Sequence, residues 1–145
     1  MPVAVALRDT HKSQNSVSPN LPAPARLTVT FSKEQIAAYA QASGDMNPIH
    51  LDDDFAKRVG LPSVIAHGLL QMGLLARVAA DAAGGPSRLR KLSCRFAVMV
   101  APGDNVTFTA LVAEPGVLQL SAKNQKGETV LGKASARFDT LEGGG

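Results

Sequence analysis

From residue 25 onward the chain changes rhythm several times. "RLTVTF" sets Leu27, Val29 and Phe31 against Thr28 and Thr30, the period of a half-buried strand. "SKEQIAAYAQAS" shifts to helical spacing through Ile36, Tyr39 and Ala40. Ser32 stands where a cap belongs, Gln35 follows three residues later as in a capping box, and Gly44 is placed to end the helix. "LDDDFAKRVG" predicts a short helix: its acids come first, Lys57 and Arg58 come last, and Gly60 and Pro62 stop it. "AHGLLQMGLLARVAADAAGG" is apolar almost all round, which predicts a buried helix. Its small residues Gly73, Ala76, Ala79 and Ala80 would let a sheet approach closely.

Four strand-like runs follow. "LSCRFAVMV" aligns Leu92, Cys94, Phe96, Val98 and Val100 on one face, and "VTFTALV" aligns Val106, Phe108, Ala110 and Val112. "VLQLSAK" aligns Leu118, Leu120 and Ala122. "VLGKASARF" aligns Val130, Gly132, Ala134, Ala136 and Phe138, with Leu131, Lys133, Ser135 and Arg137 opposite. The connectors "APGDN", "EPG" and "QKGE" are turn-forming, so the runs predict an antiparallel meander. One long apolar helix and one antiparallel sheet make an α+β domain. A single five-stranded sheet cannot cover a helix that is apolar on all sides, so a dimer is expected. The domain should span residues 25–140, between a Pro- and Ser-rich flexible arm over 1–24 and a flexible tail over 141–145.

Composition narrows this picture. A chain of 145 residues is one domain long, and with five Phe, one Tyr and no Trp its core must be aliphatic. The net charge of +3 comes without interleaved aromatic and basic residues, which points away from nucleic acid and leaves an anionic ligand open. A single cysteine, Cys94, excludes an intrachain disulfide and suits a reducing compartment. The most apolar run, residues 64–83, carries His67, Gln71, Arg77 and Asp81, too polar for a membrane span. The N-terminus lacks the apolar core of a secretory signal, so the cytoplasm is the expected compartment. Arg88, Arg90, Lys91 and Arg95 read as a charged strand edge, or as a contact for phosphates or an acidic carrier.

The candidate chemistry lies in "SGDMNPIH". Its Asp, Asn, Gly and Pro are turn residues, and a connector is the plain reading. Pro48, however, forbids a helix through the segment and biases Asn47 to extended backbone, so Asp45 and His50 can converge from a rigid bend. A carboxylate and an imidazole so placed can hold one water and move protons both ways. His67, at the start of the long helix, reads as a structural hydrogen-bonder. At Gly68 free backbone N–H groups and a missing side chain would let an oxyanion approach. Asp45, His50 and His67 also make a two-histidine, one-carboxylate set, but their spacing matches no zinc signature.

The stretch "YAQASGDMNPIHLDDDFAKRVGLPSVIAHGLLQMG" resembles the signature of MaoC-like dehydratases, the hydratase-2 group of hot dog fold proteins. Tyr39, Ser43-Gly44-Asp45, Asn47-Pro48-Ile49-His50, Ala56 and Ala66-His67-Gly68 carry the resemblance. It implies a hot dog fold, an antiparallel sheet wrapped round the long helix. The implied activity is reversible hydration of trans-2-enoyl thioesters of coenzyme A or acyl carrier protein to (R)-3-hydroxyacyl thioesters, with no cofactor. It implies Asp45 and His50 as the catalytic pair and Asn47 as an orienting residue. The Gly68 N–H would polarise the thioester carbonyl, with His67 and Ser43 as structural support. Dimers with the site between subunits are implied. Ala76 replaces a serine found in some (R)-specific hydratases, and Ala42 a larger aliphatic. Ala76 is similar to shorter dehydratase subunits that pair with a non-catalytic relative, so a heterodimer stands beside the homodimer. A non-catalytic subunit and a hot dog thioesterase are the alternative functions.

Overall fold

The structure, a computed structural model, describes residues 21–140. The expected tail and all but the last four residues of the expected arm lie outside the described residues. Within 21–24, the Ala23 N–H donates to Ala82 O at 3.0 Å, so the approach to the first strand is tied to the long helix.

β1 (Ala25–Thr30) alternates as expected, with Leu27 and Val29 buried. α1 (Lys33–Ser43) begins at Ser32, whose Oγ accepts from the Gln35 N–H at 3.0 Å. Such a cap stabilises by about 1 kcal/mol. Only this half of the capping box forms, because the Gln35 side chain turns inward and is buried. Gly44 ends the helix in the left-handed region at φ 80°, and its N–H reaches Ala40 O. A 3-10 turn, Pro48–His50, follows, and then α2 (Asp53–Arg58), capped by Asp52 on the Phe55 N–H. α3 (Gly68–Ala83) is the long helix. It packs on β1, β2 (Leu89–Phe96), β3 (Asn105–Glu114) and β4 (Val117–Lys123), and β5 (Thr129–Phe138) completes the sheet.

All neighbouring strands are antiparallel, in the order β1-β3-β4-β5-β2. β3, β4 and β5 form the expected meander. β2 does not join it at β3: it crosses to the far edge and pairs with β5. The residues after it, including "APGDN", are therefore a crossover and not a hairpin turn. Alternation along one strand marks its faces but carries no record of its neighbour, which is why the sequence missed this.

The core is aliphatic: Leu74, Leu75, Val78 and Ala79 of α3 meet Phe108, Leu118, Ala122 and Val130 of the sheet. Four side chains depart from expectation. Val112 is exposed where β3 outruns its cover, and Phe96 is exposed where β2 ends. Leu131 is buried beside Val130, because the register shifts in both pairings of β5 and the face changes there. On α3, Gly73 faces open space, and Leu69 is 67% exposed, so the helix is not covered on every side. Arg90, Lys91 and Arg95 lie exposed on the edge strand, with Arg90 paired to Asp139. No helix among the described residues is long and apolar enough to cross a membrane.

Candidate active site

The turn after α1 is built from its own side chains. Ser43 Oγ accepts from the Asp45 N–H at 3.1 Å, Asp45 Oδ1 from the Asn47 N–H at 3.3 Å, and Asn47 Oδ1 from the Ile49 N–H at 3.1 Å. Each is a short Asp, Asn or Ser bond to backbone two residues away, which these residue types favour. Pro48 opens the 3-10 turn that delivers His50 into the protein while Asp45 stays exposed. His50 Nδ1 donates to Ile65 O at 2.7 Å. With that nitrogen committed, Nε2 is where His50 exchanges a proton.

His67 precedes α3 and is 1% exposed. Its Nε2 donates to Asp45 O at 3.1 Å, so it fixes the backbone that carries the carboxylate. Its ring stacks on His50, centroids 3.7 Å apart, and meets Tyr39 edge-on at 4.8 Å. Burial is the main cause that pushes its pKa below the ordinary imidazole value, opposed by the bond to Asp45 O. A neutral ring suits a partner stacked face to face.

One atom from each of Asp45, His50 and His67 lies within 4.8 Å of the others. The two imidazole rings, however, are stacked with their planes 21° apart. Stacked rings direct their lone pairs side by side and not toward one point, so the set fits a proton-transfer site better than a metal centre.

The three residues open on a cavity of about 420 Å³. Gly68, the first residue of α3, lines it, and no side chain caps this end of the helix. The leading N–H groups of a helix lack intrahelical partners and carry the positive end of its dipole. A carbonyl oxygen that takes on charge could be held there. A Cβ at Gly68 would come within 2.9 Å of the tip of the Phe96 ring. A side chain at this position would therefore displace that ring.

The structure thus brings Asp45, His50, His67 and Gly68 to one cavity, with Asn47 and Ser43 behind Asp45. Sequence reasoning missed the opposite wall, Phe96 to Met99, because Phe96 and Val98 read as inward strand positions. It also passed over Gln71, buried on the cavity side of α3. A glutamine set among apolar neighbours in the first two turns of α3 was the available signal.

Residues 14–135 match the family described as MaoC like domain. The probable enoyl-CoA hydratase 2 of Dictyostelium discoideum is 30% identical over 116 residues, 78% of this chain and 40% of that protein. The chain therefore spans about two fifths of that relative's length. The (R)-specific enoyl-CoA hydratase of Rhodospirillum rubrum is 35% identical over 89 residues, covering 61% of this chain and 62% of that one. Among solved structures, the R-hydratase PhaJ1 from Pseudomonas aeruginosa superposes with a TM-score of 0.71 at 26% identity, over 83% of this chain and 81% of the other.

Proposed function

The chain belongs to the MaoC-like domain family, and on that premise we propose that it is an (R)-specific enoyl-CoA hydratase acting on trans-2-enoyl thioesters. The observation that carries the reading is the meeting of Asp45, His50 and the open start of α3 at one cavity. The enoyl-CoA hydratase 2 and (R)-hydratase names of its relatives support it.

In this reading the thioester oxygen accepts from the Gly68 N–H. Charge moves onto that oxygen as water adds at C3, and the donor and helix dipole stabilise it most strongly then. Asp45 and His50 hold the water. Between them they take one proton from it and deliver one to C2, His50 exchanging at Nε2. Ser43 holds the Asp45 backbone, the Asn47 N–H holds the carboxylate itself, and His67 locks both segments together. The same steps reversed remove water from the (R)-3-hydroxyacyl thioester. The carrier is coenzyme A or an acyl carrier protein. The apolar rim of Leu69, Phe96 and Met99 is where a second subunit would complete the site, and the half-buried thiol of Cys94 suits the cytoplasm.

The test is hydration of crotonyl-CoA, with product stereochemistry, by the native protein and by Asp45→Asn and His50→Gln. Each substitution should lower kcat/KM by about 10³-fold. Full activity in both variants would sink the reading, and release of free thiol without hydration would favour a thioesterase.

A further inference from the structure

α3 covers one face of the sheet. The opposite face holds a second cavity, of about 470 Å³, that shares no lining residue with the active-site cavity. Strand register explains its composition. Leu27, Phe108, Ala110, Leu120 and Ala122 are buried in the core, so the positions between them face outward. Arg26 stands opposite Thr109 and Thr109 opposite Ser121, while Thr107 stands opposite Lys123. Two cations thus flank three hydroxyls on one pleated surface, with the backbones of Arg26 and Lys123 about 12 Å apart by strand spacing and rise. Among the described residues neither cation has an ion-pair partner. The carboxylates at this end of the sheet are held by neutral donors instead: Asp104 by Gln125 Nε2 and the Ala101 N–H, Glu128 by Asn124 Nδ2. Asn124 Oδ1 in turn accepts from the Lys126 and Glu128 N–H groups at 2.9 and 3.0 Å, which fixes the turn beside the cavity. Guarding a sheet edge accounts for Arg26 on β1 but not for Lys123, whose strand is paired on both sides.

We propose that this cavity binds a phosphate ester with a small polyhydroxylated body, such as a sugar phosphate. The Arg26 guanidinium and the Lys123 ammonium bond the phosphate oxygens from either side. Thr107 Oγ1 already shares a hydrogen with Thr28 Oγ1 at 3.0 Å, so Thr109 and Ser121 are the hydroxyls left to bond the body of the ligand. The lining contains no carboxylate to repel an anion, no aromatic ring to stack a base and no aliphatic side chain to bed an acyl chain. A ligand that fits it is therefore polar throughout and negatively charged. The inference is independent of the thioester reading, since the two cavities lie on different faces of the sheet and have no residue in common.

The test is titration of ribose 5-phosphate into the full chain at about 0.15 M salt, by calorimetry and by backbone amide shifts. Binding should saturate with a Kd of about 1 mM or tighter. The shifts should gather on Thr107, Thr109, Ser121 and the 124–127 turn, and Kd should rise with salt. Arg26→Gln combined with Lys123→Gln should raise Kd about tenfold or more at unchanged Tm. Each single substitution, at about threefold, serves if the double variant does not fold. Thr109→Val combined with Ser121→Ala should raise Kd about threefold. Ribose without its phosphate should not bind. No saturation by about 20 mM, shifts gathered around Gly68, a Kd unmoved by the charge substitutions, or ribose binding as tightly as its phosphate overturns the inference. Tighter binding of adenosine 5'-phosphate or of a DNA duplex than of ribose 5-phosphate also overturns it, by making this a face for bases or for nucleic acid.

Discussion

Between Ser43 and Pro48 every residue is exposed and the side-chain hydrogen bonds close within two residues. Between Val64 and Gln71 half of the residues are buried and the backbone N–H groups reach far: Val64 to the Asp53 carboxylate, Ile65 to Ile49 O, Ala66 to Val100 O. The first segment presents a carboxylate through geometry that its own residues encode. The second presents a helix end through geometry that the whole fold imposes. The difference teaches where function and stability separate. Damage to the loop should fall on activity, and damage to the helix start should fall on folding unless it only covers the N–H groups.

The largest effect tests that exception. Gly68→Ala adds a methyl against the tip of the exposed Phe96 ring, which can swing aside, at a position without positive φ. The methyl and the displaced ring should block the helix end and lower kcat/KM about 100-fold, while Tm stays level or rises slightly as glycine's freedom is lost. Adding Phe96→Ala should recover part of the activity. A fall in Tm with activity intact would reverse the assignment of this end of α3.

His67→Gln should cost about 2–3 kcal/mol, read from urea midpoints, since it removes a buried stacked ring and its bond to Asp45 O. It should also change the pH profile. The folded-state pKa of His67 is depressed, so the unfolded chain takes up the proton first. Its contribution is fully present above the unfolded value of about 6.5 and is lost progressively as pH falls below it. Native Tm should therefore decline from pH 7 to pH 5, and the variant's should decline less. Parallel curves would assign the acid sensitivity elsewhere.

Asn47→Ala tests the loop. It removes the bond to the Ile49 N–H at an exposed position, so stability should drop by only about 0.5–1 kcal/mol. Activity should fall more than that implies, about tenfold, because the bend between Asp45 and His50 loosens. Equal proportional losses would mean that the loop is no more local than the helix start. The smallest effect belongs to Lys33→Met. It breaks a solvent-exposed pair with Asp53 whose other oxygen still holds the Val64 N–H. Tm should barely move, and less still at high salt.

What could be read in advance follows the same division. Ser32, Gly44, the 44–50 turn and the alternation of β1 and β4 were legible, since each is a relation between residues a few positions apart. The partner of β2 was not, because pairing Ser93 with Ser135 is a decision of the whole chain. The inward turn of Leu131 and the outward turn of Phe96 followed from that decision. Asp45, His50, His67 and Gly68 stood out by residue type and by family resemblance. The 97–99 wall had no such mark, being ordinary apolar sequence placed by a crossover.

That crossover has a consequence for when the site comes into being. Among the described residues, none that lines the cavity lies beyond Met99. Yet the N–H groups of Ala97 and Val98 both reach Val130 O, so the wall is hung on β5. A ribosome that has released the first hundred residues has made every group of the site but not the site, and ring closure over such a long stretch is a late and slow event. Ligand affinity should switch on only once Thr129–Phe138 has emerged, which makes the catalytically silent end of the chain the clock of its assembly.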